Sequence, residues 1–453
     1  MPEEPSTPLM RQYHDLKQQV PQALLMFRLG DFYELFYDDA VTAARELEIT
    51  LTSRNKEKGQ AIPMCGVPHH SAEGYIARLI QKGYRVAVCE QTEDPKLTKK
   101  LVKREIARVV TPGTATSSNL LRSRENNYLG AVAVQNGRCG VAHVDISTGE
   151  FRVTESLAEE APTILEALNV REVLTDGDLA VECLKTPVEG WTFEFDYAER
   201  TVREHFRLLS LDGCGLSGKH LAVGAAGAVL HYLRDTQRSA LDHLDPPSYY
   251  ERSDAMVLDA VTVRNLELLE PLFAGERRDS TLVHVLDETR TGMGGRLLRA
   301  RLLRPSTDVA EIEARLGAVE QLKGSTIERT ELRRALDPVL DLERLLARLT
   351  MGTANPRDVL ALGRSLAQIP QLRFSAGAST RLADISSRLD PVEEASRLIL
   401  AAIADEPPVN LADTGTVRDG YSPELDELRD ISRNSRQYIA AMEARERSRT
   451  GIA

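Results

Sequence analysis

The sequence predicts a multidomain protein of α/β plus all-α class, with two mixed α/β domains followed by a helical region. Three observations lead there. The 453 residues are enough for roughly three domains at about 150 residues each. Short apolar runs alternate with helical patterns up to about residue 245. After Pro246-Pro247 the apolar spacing is helical throughout. The expected divisions are 1–115 for a first mixed α/β domain, 116–126 for a linker, 127–245 for a second α/β domain and 246–453 for the helical region.

In the first domain, Thr7 is placed to cap a helix whose first residue is Pro8, and Leu9, Tyr13, Leu16 and Val20 follow at helical spacing. The apolar run Ala23 to Leu29 reads as a strand, followed by the Phe32-Tyr33-Glu34 turn and a helix over about 38–47. A polar loop around 54–59, a helix over about 72–82 and a strand from Tyr84 to Cys89 complete this domain. Thr111 to Ser118 is rich in turn formers and reads as the exit linker.

In the second domain, Tyr128 to Val134 and Gly140 to Ile146 flank Asn136-Gly137, a strong hairpin signal. A strand over 149–153, a helix, a strand over 172–175 and a long helix over about 221–234 continue the alternation. The third region is expected to be all helical. Asn355-Pro356 starts one helix, Pro370 ends it, and one long helix runs from Pro423 to about Arg449.

Composition narrows the function classes. No run of 18 apolar residues and no basic-then-apolar start occur, so neither a membrane span nor a signal peptide is expected. Five scattered cysteines without a C-x-x-C pair point to a reducing, cytoplasmic setting without structural zinc. The net charge of −11, from 57 basic and 68 acidic residues, is not that of a simple DNA coat protein. The deficit is uneven, for residues 1–120 hold 16 basic against 15 acidic side chains. Lys96, Lys99, Lys100, Lys103, Arg104 and Arg108 face Glu105 alone between positions 96 and 108. They form either a solvated helix face or loop, or a phosphate-contact patch with salt-dependent binding.

Phe32 and Glu34 stand two apart in an extended segment, so their side chains share a face. One reading makes the phenylalanines core and Glu34 a solvated charge. The other makes an aromatic wedge for the DNA minor groove, with a carboxylate that faces a base edge rather than a phosphate.

The run Met26 to Ala40 (Met-Phe-Arg-Leu-Gly-Asp-Phe-Tyr-Glu-Leu-Phe-Tyr-Asp-Asp-Ala) resembles the start of the MutS family of DNA mismatch-repair proteins. Met64 to Ser71, Gly83 to Pro95, Leu258 to Glu267, Gly292 to Arg299, Gly420-Tyr421 and Glu446 to Gly451 resemble that family too, in its order. The resemblance implies that Phe32 stacks on a mispaired or unpaired base and Glu34 hydrogen-bonds to it. It also implies a mismatch-recognition domain, a ribonuclease-H-like connector, and a core and lever region leading to a clamp. The implied partners are double-stranded DNA with mismatches or small loops and a MutL-like protein, with a homodimer for the full-length family protein.

The chain stops at Ala453, where family members continue into a clamp and a P-loop ATPase domain. The expectation is therefore no ATP hydrolysis and no cofactor in this chain, ATP and Mg²⁺ being implied for the missing domain. Gly213 to His220 fits G-x-x-x-x-G-K but has His220 where the Mg²⁺-binding hydroxyl belongs, so it reads as a loop. Asp145 before Ser-Thr-Gly admits a metal-nuclease reading, but two-metal chemistry needs several converging carboxylates and turn chemistry is the simpler account. His69-His70, read as extended, point to opposite faces and suit packing near Phe32-Tyr33-Glu34 better than a metal.

Overall fold

The computed structural model describes residues 7–57, 60–93, 101–273, 278–375, 380–411 and 413–451. The chain forms two compact units, one running to Val319 and including Leu346–Gly352, the other comprising Glu320–Leu345 and the residues from Thr353 onward.

The first unit opens with helix α1 (Pro8–Gln19), where the Thr7 side chain accepts from the Met10 N–H and Pro8 needs no N–H partner. Strands β1 (Leu24–Leu29) and β2 (Phe32–Phe36), helix α2 (Tyr37–Leu47), strands β3 (Thr52–Glu57) and β4 (Gln60–Pro68), helix α3 (Ala72–Gln81), and strands β5 (Val86–Gln91) and β6 (Arg104–Val110) follow. The sheet order is β3-β4-β2-β1-β5-β6, with β1 parallel to β5 and every other pair antiparallel. Strand alternation sorts the side chains onto two faces. Met26, Tyr33, Leu35, Cys65, Val67 and Val88 pack beneath α2 and α3, while Leu25, Phe27, Phe36, Ala87 and Ile106 pack beneath α1. The buried Asp39 carboxylate joins the layers, accepting from Lys17 Nζ at 2.8 Å, the Tyr13 hydroxyl at 3.2 Å and the Leu25 N–H at 3.0 Å.

Three segments of this domain differ from expectation. The polar stretch read as a loop around 54–59 supplies strand β3 through Glu57. The basic segment read as helix face or loop continues into β6 from Arg104. Both are edge strands, held by backbone bonds to one neighbour; β6 still alternates, with Arg104 and Ile106 buried and Glu105 and Ala107 exposed. His69 and His70 lie in a 3₁₀ turn rather than an extended strand.

The second sheet is built from β7 (Leu129–Gln135), β8 (Arg138–Val144), β9 (Phe151–Leu157), β10 (Glu172–Thr175), β11 (Leu184–Pro187) and β12 (Ser248–Tyr249). Asn136 and Gly137 both take positive φ, 51° and 74°, and make the tight β7–β8 hairpin. The order β11-β10-β7-β8-β9-β12 has an antiparallel β7-β8-β9 meander continued by parallel β10 and β11, a ribonuclease-H-like arrangement. Helices α4 (Ala161–Ala167), α5 (Phe195–Phe206) and α6 (His220–Gln237) accompany it. Helix α6 packs closely on β8 because Gly140 has no Cβ; one there would lie 2.1 Å from the Leu221 backbone.

The segment Thr111 to Ser118, read as the exit linker, is largely buried. Thr111, Thr114 and Thr116 are buried. Their hydroxyl-rich turn wraps the Glu172 carboxylate, and buried polar groups bonded this way are as settled as core. Helices α7 (Ala260–Asn265), α8 (Leu282–Leu286), α9 (Gly292–Leu303) and α10 (Val309–Gly324) begin the helical region. Gly295 there leaves room for the stem of Arg124, whose guanidinium pairs with Asp287 at 2.7 Å, and Arg296 donates to the Ser123 carbonyl at 2.9 Å.

Helices α11 (Thr326–Leu336), α12 (Leu342–Thr350), α13 (Pro356–Leu366), α14 (Ile369–Ser375), α15 (Thr380–Arg388), α16 (Glu393–Ala402), α17 (Pro423–Arg433) and α18 (Ser435–Thr450) complete the helical region. Asn355 and Asp358 form a reciprocal cap on α13. Pro370 does not end that helix but sits in the first turn of α14, where a proline lacks no needed donor. The expected continuous helix from Pro423 is broken at Asn434, whose ψ of 24° departs from helix geometry. The Asn434 side-chain amide donates to the Asp430 carboxylate at 2.7 Å, while the Asn434 N–H still donates to the Asp430 carbonyl at 2.8 Å.

Candidate nucleic-acid interface

The site is built on the β1–β2 hairpin. Gly30 takes φ 59° at the turn, a conformation open to a residue without Cβ. The tip is tied down from three sides. Arg28 Nε donates to the Gly30 carbonyl at 2.5 Å, the His69 N–H donates to the Asp31 carbonyl at 2.8 Å, and the buried Tyr33 hydroxyl donates to Glu90 on β5. The Arg28 guanidinium also lies 5.4 Å from the centre of the Tyr33 ring and 3.8 Å from Glu90. Burial, and then the bond to Glu90, push the Tyr33 hydroxyl's pKa far up, so it stays a donor.

Tyr33 faces the α2–α3 side, so Phe32 and Glu34 face the other. Phe32 is 47% exposed, whereas Phe27 and Phe36 on the same face are fully buried beneath α1. Cross-strand pairing lays out two rows on this face, the first reaching under α1 at Phe27. One is Phe27, Glu34 and Gly66; the other, nearer the tip, is Leu29, Phe32 and Pro68. Glu34 is half-buried and is the single charged residue in either row. An apolar strip with a carboxylate offers nothing to attract phosphates, and its chemistry suits base edges and faces better.

Of the basic candidates, Lys103, Arg104 and Arg108 are described, and each has partners of its own. Lys96, Lys99 and Lys100 lie outside the described residues. Arg104 is buried at 5% exposure and corrects the expectation of a phosphate contact. Its guanidinium donates to the Arg28 carbonyl at 2.7 Å, to Gln12 at 3.0 Å and to the Val102 carbonyl at 2.8 Å, and sits 5.0 Å from the Phe27 ring centre. It braces β1, α1 and β6. Arg108 pairs with Glu73 of α3, which places it on the face opposite Phe32. Lys103 is exposed and pairs with Glu105 at 2.6 Å.

Sequence reasoning left Arg28, Tyr33, Glu90 and Gly66 without roles. The signal was available for two of them. Alternation puts Tyr33 opposite Phe32, and Glu90 is an acid at the end of the apolar run Val86 to Cys89.

The other constellations resolve into structure. Asp145 is fully buried and accepts from the Ser147 N–H and hydroxyl at 2.9 and 2.7 Å, the Asn127 N–H at 3.0 Å and the Asn126 amide at 3.1 Å. Among the described residues no group of three or more His, Cys, Asp or Glu is placed to hold a metal. Lys219 of the P-loop-like segment pairs with Glu251 at 3.2 Å and lies over the Tyr249 ring, while His220 stacks on Phe195. The Cys65 and Cys89 thiols are buried and pushed up by that burial, to about 11 and about 12, which makes them poor nucleophiles. No described helix is long and apolar enough to cross a membrane.

A hairpin-borne aromatic on a six-stranded mixed sheet, joined to a ribonuclease-H-like domain and then to helices, has close counterparts. Family models described as MutS domain I, MutS domain II and MutS domain III match residues 7–119, 127–245 and 261–449. The chain is 64% identical over 462 residues to a "DNA mismatch repair protein MutS" of Solibacter usitatus, covering 99% of this chain and 53% of the relative. Proteins of the same description from Anaeromyxobacter dehalogenans and Alkaliphilus oremlandii are 46% and 41% identical over 98% of this chain, covering 52% and 53% of their own lengths. The chain belongs to the MutS family and spans about half the length of the curated relatives it matches.

Proposed function

We propose that this chain carries out the lesion-reading step of DNA mismatch repair, binding duplex DNA at mispaired or unpaired bases. The observation that carries this reading is the exposed Phe32 on a braced hairpin, with Glu34 on the same face. Phe32 enters the minor groove and parts a base step, stacking on one base. Glu34 accepts a hydrogen bond from that base. A mispaired step is already poorly stacked, so kinking there costs less than at a matched step. Stacking one base on an aromatic contributes about 1–3 kcal/mol, which would give a contrast of about 5- to 150-fold between lesion and matched duplex.

The reading gives the chain a binding role and no catalytic step. ATP-driven signalling, dimerisation and capture of a MutL-like partner belong to it as properties of the full-length family protein. The test is binding to a G·T duplex and its G·C counterpart at two salt concentrations, with the parent and with Phe32→Ala. The parent is expected to prefer G·T at both salts, and the variant to bind both duplexes weakly and alike. Equal preference in variant and parent would sink the wedge. Equal, weak, salt-sensitive binding by the parent itself would favour an interaction module that meets a MutL-like partner and has little DNA affinity of its own.

A further inference from the structure

Three glycines lie inside the described strands. Gly130 and Gly140 are demanded by packing, since a Cβ would come within 3.0 Å of Leu165 and 2.1 Å of the Leu221 backbone. Gly66 on β4 has no such reason. Its φ is not positive, and a Cβ there would make ordinary contacts only, at 3.6 Å to the Tyr33 carbonyl, 3.7 Å to Glu34 Cγ and 3.9 Å to Phe32 Cδ1. It is exposed, and β3 begins at Thr52 opposite Met64, so no described strand flanks Gly66 on its outer side. A glycine in a strand weakens it, and where neither turn nor packing requires one it marks close approach of another molecule.

The atoms around that bare position are those of Phe32 and Glu34. Gly66 pairs directly across from Glu34, so any side chain at 66 would project from the same face, into the notch between the aromatic ring and the carboxylate. We propose that Gly66 is the third element of the mismatch site, a clearance through which the edge of the displaced base reaches Glu34 over the strand backbone. This rests on the reading of Phe32 as the wedge and extends it to a residue that makes no polar side-chain contact. Size at position 66 then sets how far a base edge can enter. The site selects by shape from β4 as it does by stacking from β2.

The test replaces Gly66 by alanine and by valine in this chain, and follows thermal unfolding and binding to G·T and matched duplexes. Valine suits a strand, so both variants should unfold at the parent's temperature or above it. Gly66→Val should lower G·T affinity by about tenfold or more, with Gly66→Ala between it and the parent, while binding to matched duplex stays unchanged. Stable valine and alanine variants that bind G·T like the parent would overturn the inference. A marked fall in unfolding temperature would overturn it too, by showing that the glycine serves the fold. Phe32→Ala in the same assay separates the two ideas. Loss of preference there with none in Gly66→Val defeats the clearance alone. Retained preference in Phe32→Ala, or no preference in the parent, defeats the reading on which it rests.

Discussion

Glu172 is expected to hold the joint between the first two domains, and its removal should be felt far from any surface. Its carboxylate is fully buried and receives four donors. Oε2 takes the Thr111 hydroxyl and the Gly113 N–H at 3.1 Å; Oε1 takes the hydroxyls of Thr186 at 2.5 Å and Tyr232 at 2.8 Å. Thr186 in turn accepts from Arg85 at 2.8 Å, just before β5, so the network reaches the first sheet. Burial, and then the neighbouring Glu172, push the Tyr232 hydroxyl up, which keeps it protonated and donating. Each bond to a charged acceptor contributes about 1.5–3 kcal/mol, and the four are not additive. Glu172→Ala leaves four donors dry and should cost about 3–5 kcal/mol.

Glu172→Gln is the finer probe. Its amide keeps one acceptor oxygen, which must face Gly113 because an N–H cannot accept. The NH₂ group must then face Thr186 and Tyr232, whose hydroxyls can turn to receive it. The expected cost is about 1–2 kcal/mol. Urea unfolding measures both values, and hydrogen exchange at the Gly113 amide reports the joint directly. An alanine variant within about 0.5 kcal/mol of the parent, with Gly113 exchange unchanged, would refute the reasoning.

Two further outcomes follow from buried groups. His143 is fully buried against the Tyr128 and Tyr250 rings, and burial, then Arg152 and Arg304, push its pKa down to about 3. The unfolded imidazole, near 6.5, takes up a proton that the folded one refuses, so stability is unaffected above that pH and falls as pH drops from about 6.5 toward 3. Unfolding at pH 7 and pH 5 should differ by roughly 2 kcal/mol more in the parent than in His143→Gln. Gly140→Ala should cost about 1–3 kcal/mol or more by driving α6 off β8, whereas Gly177→Ala, with open space around it, should be nearly neutral; thermal unfolding compares them.

The features legible in the sequence are those decided locally. Asn136-Gly137 could make little but a tight hairpin, Thr7-Pro8 and Asn355-Pro356 announce helix starts, and alternation alone put Phe32 and Glu34 on one face. What stayed hidden depends on partners distant in sequence. Thr111 to Ser118 reads as a linker until Glu172, some sixty residues on, turns its hydroxyls inward. Arg104 reads as a free cation until the Arg28 and Val102 carbonyls and the Phe27 ring surround it. Edge strand β6 opens on the charged Arg104-Glu105, which hides a strand whose Ile106, Val109 and Val110 are core. Asn434 interrupts an otherwise helical pattern by a departure from helical dihedrals at that one residue.

The same dependence bears on how an acidic chain reads DNA. Counting charges suggested a local phosphate-contact patch; of its described members Arg104 is a brace, Arg108 is on the face opposite Phe32 and Lys103 has a carboxylate partner. Beside Phe32 and Glu34 that face carries Leu29, Phe27, Gly66 and Pro68, with the buried Arg104 guanidinium over the Phe27 ring. Phosphate attraction is blind to whether a base pair is correct, so a strong cationic surface here would raise binding to matched and mismatched duplex alike. Stacking, clearance and one carboxylate respond to the base itself. Under the proposed reading, the contrast between lesion and matched duplex should persist at salt concentrations where general binding has fallen away.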